Sequence, residues 1–218
     1  MDELKPLPVL NAEEIRILGV LMEKSKTTPE YYPMTINAIT AACNQKTSRK
    51  PVVQYDEQTV TLTLDTLKRK SLISTATGGS SRVVKYKHNF AIVFPVLPAE
   101  VAVICLLMLR GAQTPGEINT NSGRMYEFES LDEVQAVLEK LVGPETAYIV
   151  QLPKRAGQKE TRYAHLLAGT PDLTQDDHED EQHYSRPASD LEQRLARVEE
   201  ELAAMRADFD KLMKELMG

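Results

Sequence analysis

Three stretches in the first 70 residues carry apolar side chains three and four positions apart, the spacing of one face of an α-helix. Each begins at a residue suited to capping: Asn11 opens the capping-box sequence N-A-E-E, Thr35 precedes the second stretch, and Asp56 precedes the third. The pattern predicts a helix from Asn11 to about Ser25, one after Thr35, and one from Asp56 to Lys70. Their inward positions are Ile15, Ile17, Leu18, Leu21 and Met22, then Ile36, Ile39 and Ala42, then Val60, Leu64 and Leu67.

The segment after Lys70 changes to strand-like alternation. It reads SLISTATGGSSRVVKYKHNF, with a Gly78-Gly79 turn between two alternating runs, which predicts a β-hairpin. Three helices followed by a hairpin is the element order of a winged helix, a variant of the DNA-binding helix-turn-helix. We therefore predict a first winged-helix domain over residues 1–95.

The same order recurs in residues 96–169. The stretch from Leu97 to Gly111 aligns with Leu10 to Lys24, which places Glu100 opposite Glu13. Further on, Val134, Leu138 and Leu141 repeat the spacing of the third helix, and Tyr163-Ala164-His165 repeats Tyr86-Lys87-His88. The predicted fold class is mainly α with small β-hairpins (α+β), built as two tandem winged-helix domains.

The C-terminal region has a different composition. Residues 170–187 are acidic and almost free of apolar side chains, which predicts a disordered linker. Residues 188–218 carry a heptad pattern that predicts a coiled-coil helix, and we favour pairing with a second copy over folding back onto the chain. The seam positions are Leu191, Leu195, Val198, Leu202, Met205, Phe209, Leu212 and Leu216.

Charge divides the chain in the same way. Residues 1–95 carry 13 Lys and Arg against 9 Asp and Glu, a net charge of +4, whereas residues 96–169 carry 7 against 9 and residues 170–218 carry 6 against 14. Only the first domain should attract phosphate. No apolar run is long enough to span a membrane and no signal peptide is evident, so we expect a cytoplasmic protein with Cys43 and Cys105 as buried thiols.

Catalytic chemistry has little support in the sequence. No phosphate-binding glycine loop, nucleophile elbow or His-Glu-x-x-His motif is present, so we expect no enzyme and no cofactor. His88 and His165 occupy equivalent hairpin positions, which favours a structural role for both. His178 and His183 lie in the acidic linker, where weak binding of a divalent ion is possible but a solvated tail is the better interpretation.

A DNA-binding surface is indicated around the third helix of the first domain. Gln58 and Thr59 near its amino end are placed to reach base edges, and Arg69 is placed to meet a phosphate, whereas Asp65 and Leu62 on the same face do not suit DNA. The alternative is that the surrounding cations are ordinary solvated side chains. Those flanking cations are Lys46, Arg49 and Lys50 in the preceding loop and Arg82, Lys85 and Lys87 in the hairpin.

The second domain is unsuited to reading DNA. Its third helix presents Asp132, Glu133, Ala136 and Glu139 outward, which would set carboxylates against phosphate. Its hairpin keeps a peripheral backbone contact possible through Lys154, Arg155, Lys159 and Arg162. Docking on the first domain, a second subunit or another protein is the expected use of this domain.

Three stretches carry a family resemblance: TTPEYYPMTINAITAACNQKTSRKPV, LLMLRGAQTPGEINTNSGRMYEFESLDEV and ETRYAHLLAG. Over roughly residues 8 to 169 the chain resembles the bacterial YceH-like family of uncharacterised proteins. The resemblance implies a tandem winged-helix fold and a cytoplasmic bacterial protein, and it implies no activity. The segment Ile118-Asn119-Thr120-Asn121 is less basic than the family pattern, which weakens a DNA role for the second domain.

Two functional hypotheses follow. In the first, which the sequence favours, the coiled coil pairs two chains, and each contributes its first domain to a duplex-DNA site, as in a dimeric transcriptional regulator. In the second, the chain is an assembly factor that binds protein partners and no DNA. The first requires the loop and hairpin cations to form one positive surface; if they point apart or are buried, the second is favoured.

Overall fold

The computed structural model describes residues 7–76, 83–143, 147–154 and 160–171, and its first repeat consists of three helices and a hairpin. The bounds are α1 (Ala12–Thr27), α2 (Ile36–Cys43), α3 (Glu57–Arg69), β1 (Ile73–Ala76) and β2 (Lys85–His88), with a 3-10 turn at Pro29–Tyr31. A short helix, α4 (Phe90–Val93), leads to the second repeat. That repeat comprises α5 (Pro98–Arg110), α6 (Pro115–Ser122), α7 (Leu131–Val142), β3 (Ile149–Gln151) and β4 (Tyr163–His165).

The predicted helix starts are confirmed. Asn11 Oδ1 accepts from the Glu14 N–H at 2.8 Å and Glu14 accepts from the Asn11 N–H at 3.0 Å, which completes the capping box of α1. Thr35 caps α2 by accepting from the Ala38 N–H at 3.3 Å. Asp56 caps α3 by accepting from the Thr59 N–H at 2.7 Å.

Both hairpins are antiparallel, as predicted, with Ile73 opposite His88 and Ile149 opposite His165. Each repeat also adds a third short pairing. Met34, just before α2, bridges Tyr86, and Gln113, just before α6, bridges Tyr163. The two repeats therefore share their strand pairing as well as their helix order.

The two repeats pack together within one compact unit, residues 1–171. The packing is centred on α1 and α5, which are buried from Glu14 to Met22 and from Glu100 to Leu109. Gly19 allows close approach, since a Cβ built there would lie 2.9 Å from Leu109 Cδ2. Cys105 Sγ donates to the Gly19 carbonyl at 3.2 Å, and both cysteines are buried free thiols, as expected.

The register of the internal repeat differs slightly from the sequence alignment. The caps place Leu97 opposite Asn11 and Glu100 opposite Glu14, one position away from the predicted pairing with Glu13. The alignment followed the apolar positions, whereas the carboxylate that caps each helix occupies its third residue.

The remaining predictions about architecture concern residues outside the described part of the chain. These are the Gly78-Gly79 turn, the acidic linker and the coiled-coil helix, which lie in residues 77–82 and 172–218. The mainly helical α+β class with small antiparallel hairpins is confirmed. None of the described helices has the length and apolar character needed to cross a membrane.

Candidate functional site

The outer face of α3 and the hairpin carry five of the nine predicted DNA-contacting residues in described positions. Gln58 and Arg69 on α3 and Lys87 on β2 are exposed, whereas Thr59 and Lys85 are half-buried. Arg82 lies outside the described residues. His88 on the opposite face of β2 reaches α1, so Lys85 and Lys87 lie on the face of the strand that points away from α1.

This face is not uniformly positive. Asp56 and Glu57 stand at the amino end of α3, where Glu57 accepts from the Asn37 amide at 3.3 Å, and Asp65 is exposed one turn before Arg69. Leu62, between them, is 61% exposed. A surface that mixes carboxylates with an exposed leucine is poorly matched to a phosphate backbone.

Arg49 is buried inside the first repeat, although it was predicted to face DNA. Its side chain has no solvent exposure, and Nη2 and Nη1 donate to Glu23 Oε2 and Oε1 at 2.7 and 3.1 Å. Nε and Nη2 also donate to the Ala42 carbonyl at 3.3 and 3.2 Å. Burial raises the pKa of Glu23, but the Arg49 bonds and charge outweigh it and hold the pKa below its ordinary value. Arg49 is therefore withdrawn from the predicted DNA surface.

The α2–α3 loop, residues 44–56, lies against the second repeat. Its base is closed by Asn44 and Tyr55, which exchange two hydrogen bonds of 2.8 Å. The Lys50 N–H donates to the Leu109 carbonyl at 2.8 Å, and Arg110 Nη2 donates to Ser48 Oγ at 2.8 Å. The loop that was expected to flank DNA therefore connects the two repeats.

Two of the predicted cations, Lys46 and Arg69, lie toward opposite ends of α1. Lys46 lines a cavity together with Lys24 and Thr27 at the carboxyl end of α1, whereas Arg69 lies beside Asn11 at its amino end. A helix rises about 1.5 Å per residue, so these two ends are roughly 20 Å apart. The part of the chain that the structure describes therefore does not bring Lys46 and Arg69 together.

Each repeat contains a buried carboxylate that the sequence analysis did not identify. In the first, Glu14 accepts from Lys70 Nζ at 2.7 Å and from Thr66 Oγ1 at 2.8 Å. In the second, Glu100 pairs with Lys140 Nζ at 2.6 Å. The repeated capping position was the available signal, but the lysine partners are far away in sequence. Both pairs join the first helix of a repeat to its third.

The two hairpin histidines are inward-facing and neutral, in keeping with the predicted structural role. His88 Nδ1 accepts from the Phe90 N–H at 3.3 Å, so Nε2 carries the proton toward Ser25 Oγ at 3.2 Å. Burial, together with the nearby Lys26 charge, lowers the pKa of His88 to about 4. Burial alone lowers the pKa of His165 to about 4.

The second repeat presents an acidic helix. Asp132, Ala136 and Glu139 on α7 are exposed, and Glu133 accepts from the Tyr126 hydroxyl at 2.9 Å. Lys154 is exposed, while Arg155 and Lys159 lie outside the described residues. The expectation that this helix is unsuited to DNA stays a prediction with these carboxylates in its favour.

No group of three or more His, Cys, Asp or Glu side chains suited to a metal ion occurs within residues 7–76, 83–143, 147–154 and 160–171. His178 and His183 fall outside those ranges. Burial raises the pKa of the Cys43 thiol to about 12 and also raises the pKa of Cys105, so neither thiol is activated as a nucleophile.

Comparison with known proteins identifies the family. Residues 10–158 match a family described as "Protein of unknown function, DUF480". A UPF0502 protein of Opitutus terrae is 51% identical over 167 residues, covering 76% of this chain and 73% of its own. One from Shewanella sp. (strain W3-18-1) is 42% identical over 218 residues, covering 95% of this chain and 99% of its own.

These matches agree with the resemblance to the YceH-like proteins, which form the same family, and the names they carry describe no enzymatic activity. The full-length similarity to the Shewanella protein extends across the C-terminal region as well as the two repeats. The chain belongs to the DUF480/UPF0502 family of uncharacterised proteins.

Proposed function

We propose that the chain is a cytoplasmic, non-catalytic tandem winged-helix protein that acts in assembly, binding protein partners instead of reading DNA. The winged-helix interpretation is supported by the three-helix-and-hairpin order of both repeats. It is also supported by the isolated bridges Met34–Tyr86 and Gln113–Tyr163, each of which pairs a residue just before the second helix with the hairpin.

The observation that carries the assembly role is the placement of the α2–α3 loop. Arg49 is bound to Glu23 inside the first repeat, and the loop backbone at Lys50 is bonded to α5 of the second. Arg49, a cation that a DNA-binding winged helix would turn toward phosphate, instead supports the loop from inside the first repeat, and the loop backbone contacts the second repeat. The exposed face of α3, with Leu62 among polar side chains, is better suited to a protein surface.

A coiled coil over residues 188–218 would present two copies of the tandem unit to a partner. Its support is the unbroken heptad seam from Leu191 to Leu216. A dimeric, mixed-charge, two-repeat unit on a coiled coil suits a scaffold, because each partner can contact both copies and gain from their linkage.

Sedimentation of the full chain tests the dimer. We expect the mass of two chains, and the mass of one chain after Leu195→Lys and Leu202→Lys are introduced into the seam. Ala207→Lys, which adds the same charge at a position outside the seam, should leave the mass unchanged. An unaltered mass in the seam variants would exclude pairing through this segment.

Titration with random duplex DNA tests the choice against nucleic acid. The assembly role predicts no saturable binding to a 30-base-pair duplex at a salt concentration of about 50 mM, where phosphate contacts are strongest. Measurable affinity that falls steeply with salt and is lost in the Arg69→Ala/Lys85→Ala/Lys87→Ala variant would overturn it. Lys26→Ala/Arg124→Ala/Lys154→Ala, which removes three exposed cations elsewhere, is the control for a general loss of charge.

The second candidate is a dimeric DNA-binding regulator, and one observation favours it. Gln58, Arg69 and Lys87 are exposed on the third helix and hairpin of the same repeat, the elements that contact DNA in helix-turn-helix proteins. This version would use a smaller surface than the sequence predicted, without Arg49 and with Lys46 and Lys50 placed at the junction between repeats. The DNA titration separates the two candidates.

A further inference from the structure

A cavity of about 300 Å³ lies where the two repeats meet. The first repeat contributes the carboxyl end of α1 and the α2–α3 loop, and the second contributes the carboxyl end of α5 and the region around the end of α6. Four cations from these four segments line it: Lys24, Lys46, Arg110 and Arg124. Lys24 and Arg110 stand in the last turns of their helices, where a cation is favoured, and Lys46 and Arg124 add two further positive charges from connecting segments.

The negative charge in the cavity wall is already neutralised. Among the described residues, Glu23 is the one carboxylate that lines it, and both of its oxygens accept from Arg49, at 2.7 and 3.1 Å. Lys24 Nζ also lies 3.1 Å from Glu23 Oε2. The remaining cations therefore give the cavity an excess positive charge.

Several donors around the cavity lack a protein partner. Neither Lys46 nor Arg124 forms a hydrogen bond or ion pair with another residue in the described part of the chain. Thr27 Oγ1 is buried and finds no hydrogen-bond partner among the same residues. Because that oxygen is covered by protein atoms, the unpaired Lys46 and Arg124 side chains are the donors available to a ligand in the cavity.

We propose that this cavity binds a phosphate-bearing small molecule. A phosphate dianion balances the excess charge, and its oxygens accept hydrogen bonds from the forked guanidinium groups of Arg110 and Arg124 and from the lysine ammonium groups. The volume is at the lower end of the range of small-molecule sites, which suits a compact phosphate ester and excludes a folded partner. This inference is independent of the assembly role.

Binding would join the repeats. Lys24 and Lys46 belong to the first repeat, and Arg110 and Arg124 to the second, so a shared ligand contacts both. A ligand that binds only the folded arrangement stabilises it in proportion to its concentration relative to the dissociation constant. The site would thereby link the stability of the tandem unit to the supply of a phosphorylated metabolite.

Calorimetric titration and thermal unfolding of the full chain with inorganic phosphate and pyrophosphate test the proposal. We expect saturable binding and a higher Tm with phosphate than with sodium chloride at the same ionic strength. Lys46→Ala and Arg124→Ala remove exposed side chains and should each weaken binding roughly tenfold. Lys26→Ala and Lys68→Ala remove exposed cations outside the cavity lining and should leave the affinity unchanged.

Three outcomes would overturn the proposal. The first is an absence of saturable binding by either probe. The second is equal binding by wild type and the Lys46→Ala/Arg124→Ala variant, which would place the anion elsewhere. The third is succinate binding as tightly as pyrophosphate, with the same loss in the variants, which would assign the cavity to dicarboxylates instead of phosphates.

Discussion

The two repeats are built alike inside and differ outside. Each joins its first helix to its third through a buried Glu–Lys pair, Glu14 with Lys70 and Glu100 with Lys140. Each also places a histidine at the end of its hairpin pairing, with its pKa lowered to about 4 by burial. The connection between second and third helices differs, since residues 44–56 in the first repeat are replaced by the shorter 123–130 in the second.

The longer loop of the first repeat contacts the second repeat. The longer loop contains Arg49, which binds Glu23, and Ser48, which binds Arg110 of α5. The shorter connection contains Arg124, which is exposed, and its aromatic pair Tyr126 and Phe128 packs with ring centroids 4.8 Å apart. The α2–α3 connection, which contacts α5, is therefore one of the segments in which the two repeats differ.

The largest expected effect on stability comes from Arg49→Met, which removes the buried guanidinium that binds Glu23 in the first repeat. Glu23 would be left largely buried without its main partner, and the free energy of unfolding should fall by about 3–5 kcal/mol. Arg49→Lys should retain only part of this stabilisation, because lysine cannot form the bidentate hydrogen bonds that Arg49 makes with Glu23. Urea unfolding measures the loss, and a variant as stable as wild type would mean that the loop needs no ion pair.

The histidines test the likeness between repeats. Their folded pKa values of about 4 lie below the ordinary 6.5, so the unfolded chain binds more protons between those values. The free energy of unfolding should be at its full value above pH 6.5 and should fall as the pH is lowered toward 4, by on the order of 3 kcal/mol for each histidine. His88→Gln and His165→Gln should each reduce the slope of unfolding free energy against pH. If either substitution left the slope of unfolding free energy against pH unchanged, the two histidines would not have equivalent roles.

Gly19→Val tests the contact between α1 and α5. The added side chain would meet Leu109 Cδ2 and Met108 Cβ, and overpacking of this kind costs about 1–3 kcal/mol. Gly123→Val is the matched control, because a Cβ there has no atom within 4 Å in the described part of the chain. Equal melting temperatures for the two variants would show that the α1–α5 contact adjusts freely.

The smallest effect is expected for Lys46→Ala and Lys87→Ala. Both side chains are exposed, so each change should alter the free energy of unfolding by less than about 0.5 kcal/mol. Measured beside Arg49→Met by the same urea unfolding, they separate cations that face solvent from the one that supports the loop. A large loss in either would mean that its charge is needed for folding.

Much of the fold could be predicted because its signals are local. Asn11, Thr35 and Asp56 each cap the helix that follows, and such caps depend on residues three positions apart. The repeat was also evident, although its register was displaced by one position at Glu100. The short helix α4 was missed because its four residues carry no periodic pattern.

The candidate site could not be predicted equally well, because burial of a cation depends on distant partners. Arg49 and Lys46 are neighbours of similar type in the sequence, yet Arg49 is enclosed by Glu23, which is 26 positions away, while Lys46 is exposed. Similarly, the cavity cations come from four segments of both repeats, so no single stretch shows their grouping. Local charge indicates how many cations exist but does not indicate which will face solvent.

The mutual burial of α1 and α5 also affects the order of events during synthesis. Most faces of α1 are covered, part of them by a helix that the ribosome makes only about 86 residues later. Until α5 emerges, α1 can pack against α2 and α3, but the positions that α5 covers, such as Gly19, have no native cover, so the first repeat cannot complete its packing. A chain terminated after residue 95 should therefore be recovered as aggregates or degradation fragments, whereas translation through β4 yields material that stays in solution.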